Sequence, residues 1–223
     1  MGTSDQTQRN LEFDVVGLDL DGTLYPVGSE INNIIREEMC RRLSEVIGVT
    51  AEYTRKLFET HYAQIGSGSK TIATIAENHG HKIDAVELAQ RSLEEADILE
   101  FINPNPELRE MLERLRGRYQ IDLVTGSGRV LTSQKLERLG IPKDIFGHVL
   151  CKEDGNKLDG SIYQRWLGLR SVSPERVLYV GDGIKRDIRP CRDLGIKTCY
   201  VKGESDESDY WVNRILELEG LLL

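Results

Sequence analysis

The run FDVVGLDL, from Phe13 to Leu20, is short, rich in β-branched residues and almost continuously apolar. A strand with one face in water alternates polar and apolar residues, so this run reads as a strand covered on both faces, as in a parallel sheet. Three later runs match it: YQIDLVTG (Tyr119 to Gly126), RVLYVGDG (Arg176 to Gly183) and IKTCYV (Ile196 to Val201), with HVLC (His148 to Cys151) a shorter candidate. Helical patterns lie between them. Asn105 is a good N-cap with Pro106 at the first helical position, and Leu108, Met111, Leu112 and Leu115 follow at helical spacing before Gly117. VLTSQKLERLG ends at Gly140, GSIYQRWLGLR follows Asp159, and KRDIRPCRDLG ends at Gly195. From about residue 105 onward helix and strand alternate, which implies an α/β fold with a doubly wound parallel sheet.

Between the first strand and this alternating region no strand pattern occurs. INNIIREEMCRRLSEVIG carries Ile31, Ile34, Ile35, Met39, Leu43, Val46 and Ile47 at helical spacing, and three more helical stretches follow near 51–64, 69–79 and 84–95. A crossover between parallel strands usually needs one helix, so this much helix exceeds a connection. The segment is expected to form an all-helical subdomain, residues 25–101, inserted into a core domain of residues 1–24 and 102–223. Within it HYAQIGSGSKT, His61 to Thr71, reads as a Gly/Ser loop breaking two helices. The tail KGESDESDYWVNRILELEG reads as a solvated loop and an amphipathic final helix, and the leading MGTSDQTQRN as a frayed polar tail.

Composition narrows the classes of function. A chain of 223 residues with 30% charged side chains is an ordinary soluble globular protein in composition. Its formal net charge of -8 argues against a nucleic-acid surface, which needs basic patches to displace counterions. There is no apolar run long enough to span a membrane and no signal-peptide core. The four cysteines, Cys40, Cys151, Cys191 and Cys199, show no C-x-x-C spacing and read as small buried hydrophobes of a reduced cytoplasm. Trp166 and Trp211 read as packing residues. Small-molecule chemistry is the expectation.

The strand tips carry that chemistry. VVGLDLDGTLYP places Asp19 and Asp21 two apart, on one face if the strand continues, where the two carboxylates repel. The second strand ends at Thr125-Gly126-Ser127, and the third at Gly181-Asp182-Gly183 with Asp187 a helical turn beyond. Ligands of open parallel sheets bind outside the carboxyl ends of strands, so these tips are expected to meet. Clustered carboxylates need a cation, and hard oxygen ligands select Mg²⁺. A lysine supplies the remaining positive charge, with Lys152, Lys157 and Lys185 the candidates. Each piece also has a plainer reading: D-G-T as a simple turn, Asp187 as a first-turn acid favoured by the helix dipole, and T-G-S-G as a fragment of a dinucleotide loop that lacks its third glycine.

Taken together, the motifs resemble those of the haloacid dehalogenase superfamily of phosphatases. D-x-D-x-T appears as Asp19, Asp21 and Thr23; the strand-ending Thr as Thr125; the Lys before a helix as Lys157; and G-D followed by a further acid as Gly181-Asp182 and Asp187. DLDGTLYP, NPNPELREMLERL and LGIKTCYV look like the pyrimidine 5'-nucleotidase-like branch, with the helical insert as its C1-type cap. The chain departs from that branch at Leu158, where Pro is usual, and at Gly126, where Asn is common.

The resemblance implies a Mg²⁺-dependent phosphomonoester hydrolase acting through an aspartyl-phosphate on a small phosphorylated metabolite. A nucleoside monophosphate is the favoured substrate, with phosphoglycolate or a sugar phosphate next and a phosphomutase as the variant chemistry. A non-catalytic Mg²⁺-binding regulatory protein is the reading from another class. Asp19 would be the nucleophile and Asp21 the acid and base. Gly22, Thr23, Thr125, Gly126 and Lys157 would hold the phosphate, and Asp19, the Asp21 carbonyl, Asp182 and Asp187 the metal. The cap loop, through Tyr62, Ser67, Ser69 or Lys70, would touch the leaving group.

Overall fold

The structure is a computed structural model and describes residues 13–223; the polar tail expected at residues 1–10 lies outside the described residues. These fall into two compact units, one of residues 13–26 with Pro104–Leu223 and one of Val27–Asn103. The first is built on a parallel sheet of six strands among the described residues: β1 Val15–Leu18, β2 Gln120–Val124, β3 Val149–Leu150, β4 Val177–Gly181, β5 Lys197–Val201 and β6 Tyr210–Val212. Their spatial order is β3-β2-β1-β4-β5-β6. Every residue of β1 and β4 is buried, as continuous apolar runs require. β1 pairs with β2 from Val15 opposite Gln120 and with β4 from Val15 opposite Val177. The tips of β1, β2 and β4 therefore lie side by side at one edge of the sheet, where the chain order reverses direction.

β6 corrects the reading of the tail as a solvated loop. Tyr210, Trp211 and Val212 pair with Cys199, Tyr200 and Val201, and the Tyr210 ring meets Phe13 edge-on at 6.1 Å. A strand of three residues at the sheet edge leaves too short a pattern to stand out after the charged run before it.

The helical unit holds α1 Ser29–Ile47, α2 Ala51–Ile65, α3 Gly68–Asn78 and α4 Ala85–Glu95. Their apolar stripes meet in one core of Cys40, Leu43, Ile47, Phe58, Ile72, Ile75, Ala76 and Ala85. Thr50 caps α2 by accepting from the Tyr53 amide, and Asp84 caps α4 by accepting from the amides of Val86 and Glu87. The expected Gly/Ser loop contracts to Gly66 and Ser67, because α3 starts at Gly68 and takes Ser69, Lys70 and Thr71 into its first turns.

Covering the sheet are α5 Pro106–Arg116, α6 Arg129–Leu139, α7 Ser161–Arg170, α8 Arg189–Asp193 and α9 Leu218–Leu222. Asn105 accepts from the Leu108 amide and starts α5, whose Leu108, Met111, Leu112 and Leu115 are all buried. The expected amphipathic final helix shortens to α9, anchored by buried Leu218 and Leu222. All four cysteines are buried and free. No helix among the described residues is long and apolar enough to cross a membrane.

Trp166, fully buried on α7, packs with Val15, Tyr163 and Tyr179. Its indole lies where a side chain at residue 17 would be, since a Cβ on Gly17 would come 2.2 Å from the ring. The indole Nε1 donates to Asp122 Oδ2 at 2.7 Å. Asp122, fully buried in β2, also accepts from Arg170 Nε at 2.6 Å and from the His148 amide at 2.7 Å. Removing one member of such a group leaves a buried charge without its counter-ion. Asp122→Ala is therefore expected to lower the unfolding free energy by about 3–5 kcal/mol, read from urea denaturation followed by tryptophan fluorescence and circular dichroism.

Candidate active site

β1 stops at Leu18, so Asp19 and Asp21 stand beyond the strand and not within it. The Asp19 amide still donates to the Val180 carbonyl at 2.9 Å, which fixes its backbone to β4. Leu20 then accepts from the amides of Leu24 at 2.9 Å and Thr23 at 3.3 Å, closing a tight turn. Gly22 sits in that turn with φ of 80°, and a Cβ there would come 2.2 Å from Asp182 Oδ2. Glycine serves both needs, the left-handed backbone and the close approach of a carboxylate. The expectation that both carboxylates share one face gives way to two separate settings, because alternation ends with the strand.

Asp19 is buried against Lys157, whose Nζ lies 2.6 Å from Asp19 Oδ1 and 2.7 Å from Asp187 Oδ1. Of the three candidate lysines, Lys157 is the one buried with these carboxylates, whereas Lys152 and Lys185 are exposed. Asp187 Oδ1 also lies within hydrogen-bonding distance of the hydroxyls of Tyr163, at 3.3 Å, and Tyr179, at 3.4 Å; its Oδ2 accepts from the Gly183 amide at 2.8 Å. At 2% exposure on the π-helical turn Ile184–Ile188, Asp187 is not the solvated first-turn acid of the plainer reading. Burial pushes the Asp19 carboxyl up to about 7 against the pull of the Lys157 ammonium. Burial disfavours the Lys157 ammonium too, but Asp187 and Asp19 outweigh it and raise Lys157 above the ordinary lysine value.

Asp21 turns the other way. Its Oδ1 accepts from Lys135 Nζ at 2.5 Å and from the Tyr25 hydroxyl, and its Oδ2 accepts from Ser127 Oγ at 2.6 Å. Enclosure alone would raise this carboxyl, yet the Lys135 charge and the three donated hydrogen bonds bring it below the usual carboxylate value. The sequence reading missed both Lys135 and Ser127 as partners. Lys135 occupies the apolar register of α6 between Leu131 and Leu139, both buried. A lysine at a core position four residues from each neighbour is itself a signal of a buried counter-ion.

Asp182 completes the cluster, paired with Lys202 at 2.5 Å. Asp19, Asp182 and Asp187 each offer a carboxylate oxygen within 4.8 Å of the others, an all-oxygen donor set that suits a hard divalent cation. Four carboxylates against the three ammonium groups of Lys135, Lys157 and Lys202 leave this group of side chains with a net negative charge, which such a cation reverses.

Thr23 Oγ1 is buried at the same tip without a hydrogen-bond partner, while its amide is taken up by the Leu20 turn. The Thr23 amide is thus engaged by the turn, while its hydroxyl is enclosed with no protein partner. Thr125, fully buried, accepts the Ser127 amide at 3.1 Å through its hydroxyl. Beside Gly126 lies the Arg186 guanidinium, whose Nη2 is 2.8 Å from where a Cβ would be, so a side chain at residue 126 would collide with it.

The four cap residues singled out in the sequence belong to the helical unit. Tyr62 stacks on Phe58 at 5.6 Å with the Arg36 guanidinium 5.1 Å above its ring. Ser67 precedes α3, and Ser69 and Lys70 line a surface hollow with Ala73, Lys82 and Asp84.

Comparison with known proteins identifies the family of the chain. Two curated relatives are glyceraldehyde 3-phosphate phosphatases. The one from Methanocaldococcus jannaschii is 26% identical over 222 residues, covering 90% of this chain and 92% of its own. The one from Methanopyrus kandleri is 26% identical over 232 residues, covering 90% and 93%. Among solved structures, a haloacid dehalogenase-like family protein from Streptococcus pneumoniae shares the fold with a TM-score of 0.66 at 18% identity, over 95% of this chain and 99% of its own. The pattern described as haloacid dehalogenase-like hydrolase matches residues 13–195, and the chain belongs to that family.

Proposed function

We propose that the protein is a Mg²⁺-dependent phosphomonoester hydrolase that works through phosphorylated Asp19. The observation that carries this reading is the Asp19 carboxylate itself, held at the tip of β1 by a buried lysine and clustered with Asp182 and Asp187. Mg²⁺, held by the carboxylates of Asp19 and Asp182 and the carbonyl of Asp21 with Asp187 behind, would supply positive charge to the phosphoryl oxygens. Thr23, Thr125 and the Gly126 turn orient the phosphoryl group, and Lys157 offsets the charge that Asp19 and the phosphate share.

Asp19 attacks the phosphorus, and the bond from phosphorus to the ester oxygen breaks. The leaving oxygen keeps that electron pair and takes a proton from Asp21, which must enter this step in its protonated form although Lys135 favours the carboxylate. In the second half-reaction water attacks phosphorus and passes its proton to Asp21, while the bond between phosphorus and Asp19 breaks to release inorganic phosphate. Asp21 is thereby recharged for the next cycle.

The names of the two archaeal relatives support a triose or other small sugar phosphate ahead of the nucleoside monophosphate expected from the resemblance. Placement in the nucleotidase-like branch, with the helical unit as its C1-type cap, is carried by the resemblance of the motifs.

Asp19→Asn is expected to lower Mg²⁺-dependent phosphate release from glyceraldehyde 3-phosphate by about 10⁴-fold or more, with the circular dichroism spectrum kept; full activity in this variant would remove Asp19 from the chemistry. A panel of phosphorylated metabolites that adds nucleoside monophosphates ranks the substrates, and an isomerised sugar phosphate in place of free phosphate would identify a mutase. Chelation with EDTA is expected to abolish phosphate release and added Mg²⁺ to restore it. Lys157→Met leaves Asp19 and Asp187 buried without their shared cation and is expected to cost about 3–5 kcal/mol of stability in urea denaturation.

A further inference from the structure

Two lysines are buried among the described residues, Lys157 and Lys135. The first lies where the family motif puts a lysine. The second belongs to none of the motifs, yet it is the more enclosed of the two, with no exposed side-chain surface. Taking an ammonium group out of water costs several kcal/mol, and an apolar residue in the Leu131–Leu139 register of α6 would fill the space without that cost. What the lysine adds over a leucine is direction.

Its Nζ donates to Asp21 Oδ1 at 2.5 Å and to Ser127 Oγ at 2.8 Å, and Ser127 Oγ donates onward to Asp21 Oδ2 at 2.6 Å. The two groups grip both oxygens of one carboxylate, and the Tyr25 hydroxyl closes on Oδ1 from the β1 turn. Donors from three elements converge on Asp21: α6, the tip of β2 and the turn after β1. A carboxylate so held has one orientation. A proton acceptor in the hydrolysis of phosphorylated Asp19 must face a water beside the phosphorus, and misplacing it by about 1 Å can cost about 100-fold in rate.

We propose that Lys135, with Ser127 as its relay, is a positioning residue that aims the Asp21 carboxylate at the water of the second half-reaction. The inference rests on the reading of Asp21 as the group that takes that proton. It assigns Lys135 no contact with substrate.

p-Nitrophenyl phosphate separates this role from a structural one, because its leaving group needs no proton. Phosphorylation of Asp19 from it depends little on Asp21, whereas the hydrolysis that follows depends on Asp21 fully. In Lys135→Met, kcat for p-nitrophenyl phosphate is expected to fall tenfold or more, by about 10- to 100-fold, with KM falling in parallel and kcat/KM nearly kept. Rapid mixing is expected to show a burst of p-nitrophenolate stoichiometric with enzyme, as hydrolysis becomes limiting. Ser127→Ala, a smaller change, is expected to show the same pattern more weakly and serves if the methionine variant does not fold. Asp21→Asn is the control. A burst in Asp21→Asn without one in either partner variant overturns the role of Lys135 alone. No burst in Asp21→Asn overturns the reading of Asp21 and the inference with it. A loss of kcat/KM equal to the loss of kcat, at unchanged KM, makes Lys135 merely structural.

Discussion

The arrangement at the sheet edge depends on setting each acid against its own base. Four carboxylates, Asp19, Asp21, Asp182 and Asp187, gather at this end of the sheet, and two of them, Asp19 and Asp187, are buried from water. Unpaired, such a group would neutralise itself by taking up protons, and none of it could then serve as a nucleophile. Lys157 bridges two of the carboxylates, Lys135 holds the third and Lys202 the fourth. The lysines stop one charge short of balance. That shortfall suits the cluster to a divalent cation, which would turn a group of side chains that repels a phosphate into one that attracts it.

The fold delivers these groups through the topology of its sheet. β1 lies between β2 and β4, so residues that follow three different strands meet within hydrogen-bonding distance although they are as far apart in sequence as Asp21 and Lys135. The edge stays rigid because the layer beneath it is dense. Trp166 fills the space that Gly17 leaves, and its indole nitrogen is tied to Asp122, which is itself locked to Arg170. A core in which side chains interdigitate this closely resists small shifts, and the separations above it hold for that reason.

Much of this was legible in the residues, and what was not has a physical cause. The strands and their tips could be read because a buried parallel strand leaves an unbroken apolar run, and carboxylates at its end have no structural excuse. Among three candidate lysines, Lys157 could be singled out by its motif position before a helix, although its pairing with Asp19 and Asp187 is a long-range contact that spacing does not encode. Lys135 left a trace that went unread, a charge in the apolar register of α6. β6 was missed because three paired residues at a sheet edge give no period to count. Asp187 read equally as a first-turn acid and as a metal-site residue; the chain there opens into a π-helical turn that carries its carboxylate inward to Lys157.

The two aspartates of DLDGT are near neighbours in sequence and yet answer to different surroundings. Asp19 faces Lys157 and, through it, Asp187 beyond β4; Asp21 faces Ser127 and Lys135 beyond β2. The end of β1 at Leu18 makes the split, because the alternation that would have kept both carboxylates on one face stops there. The separation would matter for the two-step reaction proposed above. In the proposed reaction the phosphoryl group on Asp19 would bring its own negative oxygens, so the charge facing Lys157 would be redistributed and a counter-ion shared with Asp21 would be drawn toward it. With separate lysines, the charge state of Asp19 can change while the hydrogen bonds that orient Asp21 stay in place. In the reaction proposed above, two buried lysines would let one carboxylate be phosphorylated while its neighbour stays aimed, the second lysine held outside the strand tips on the covering helix α6.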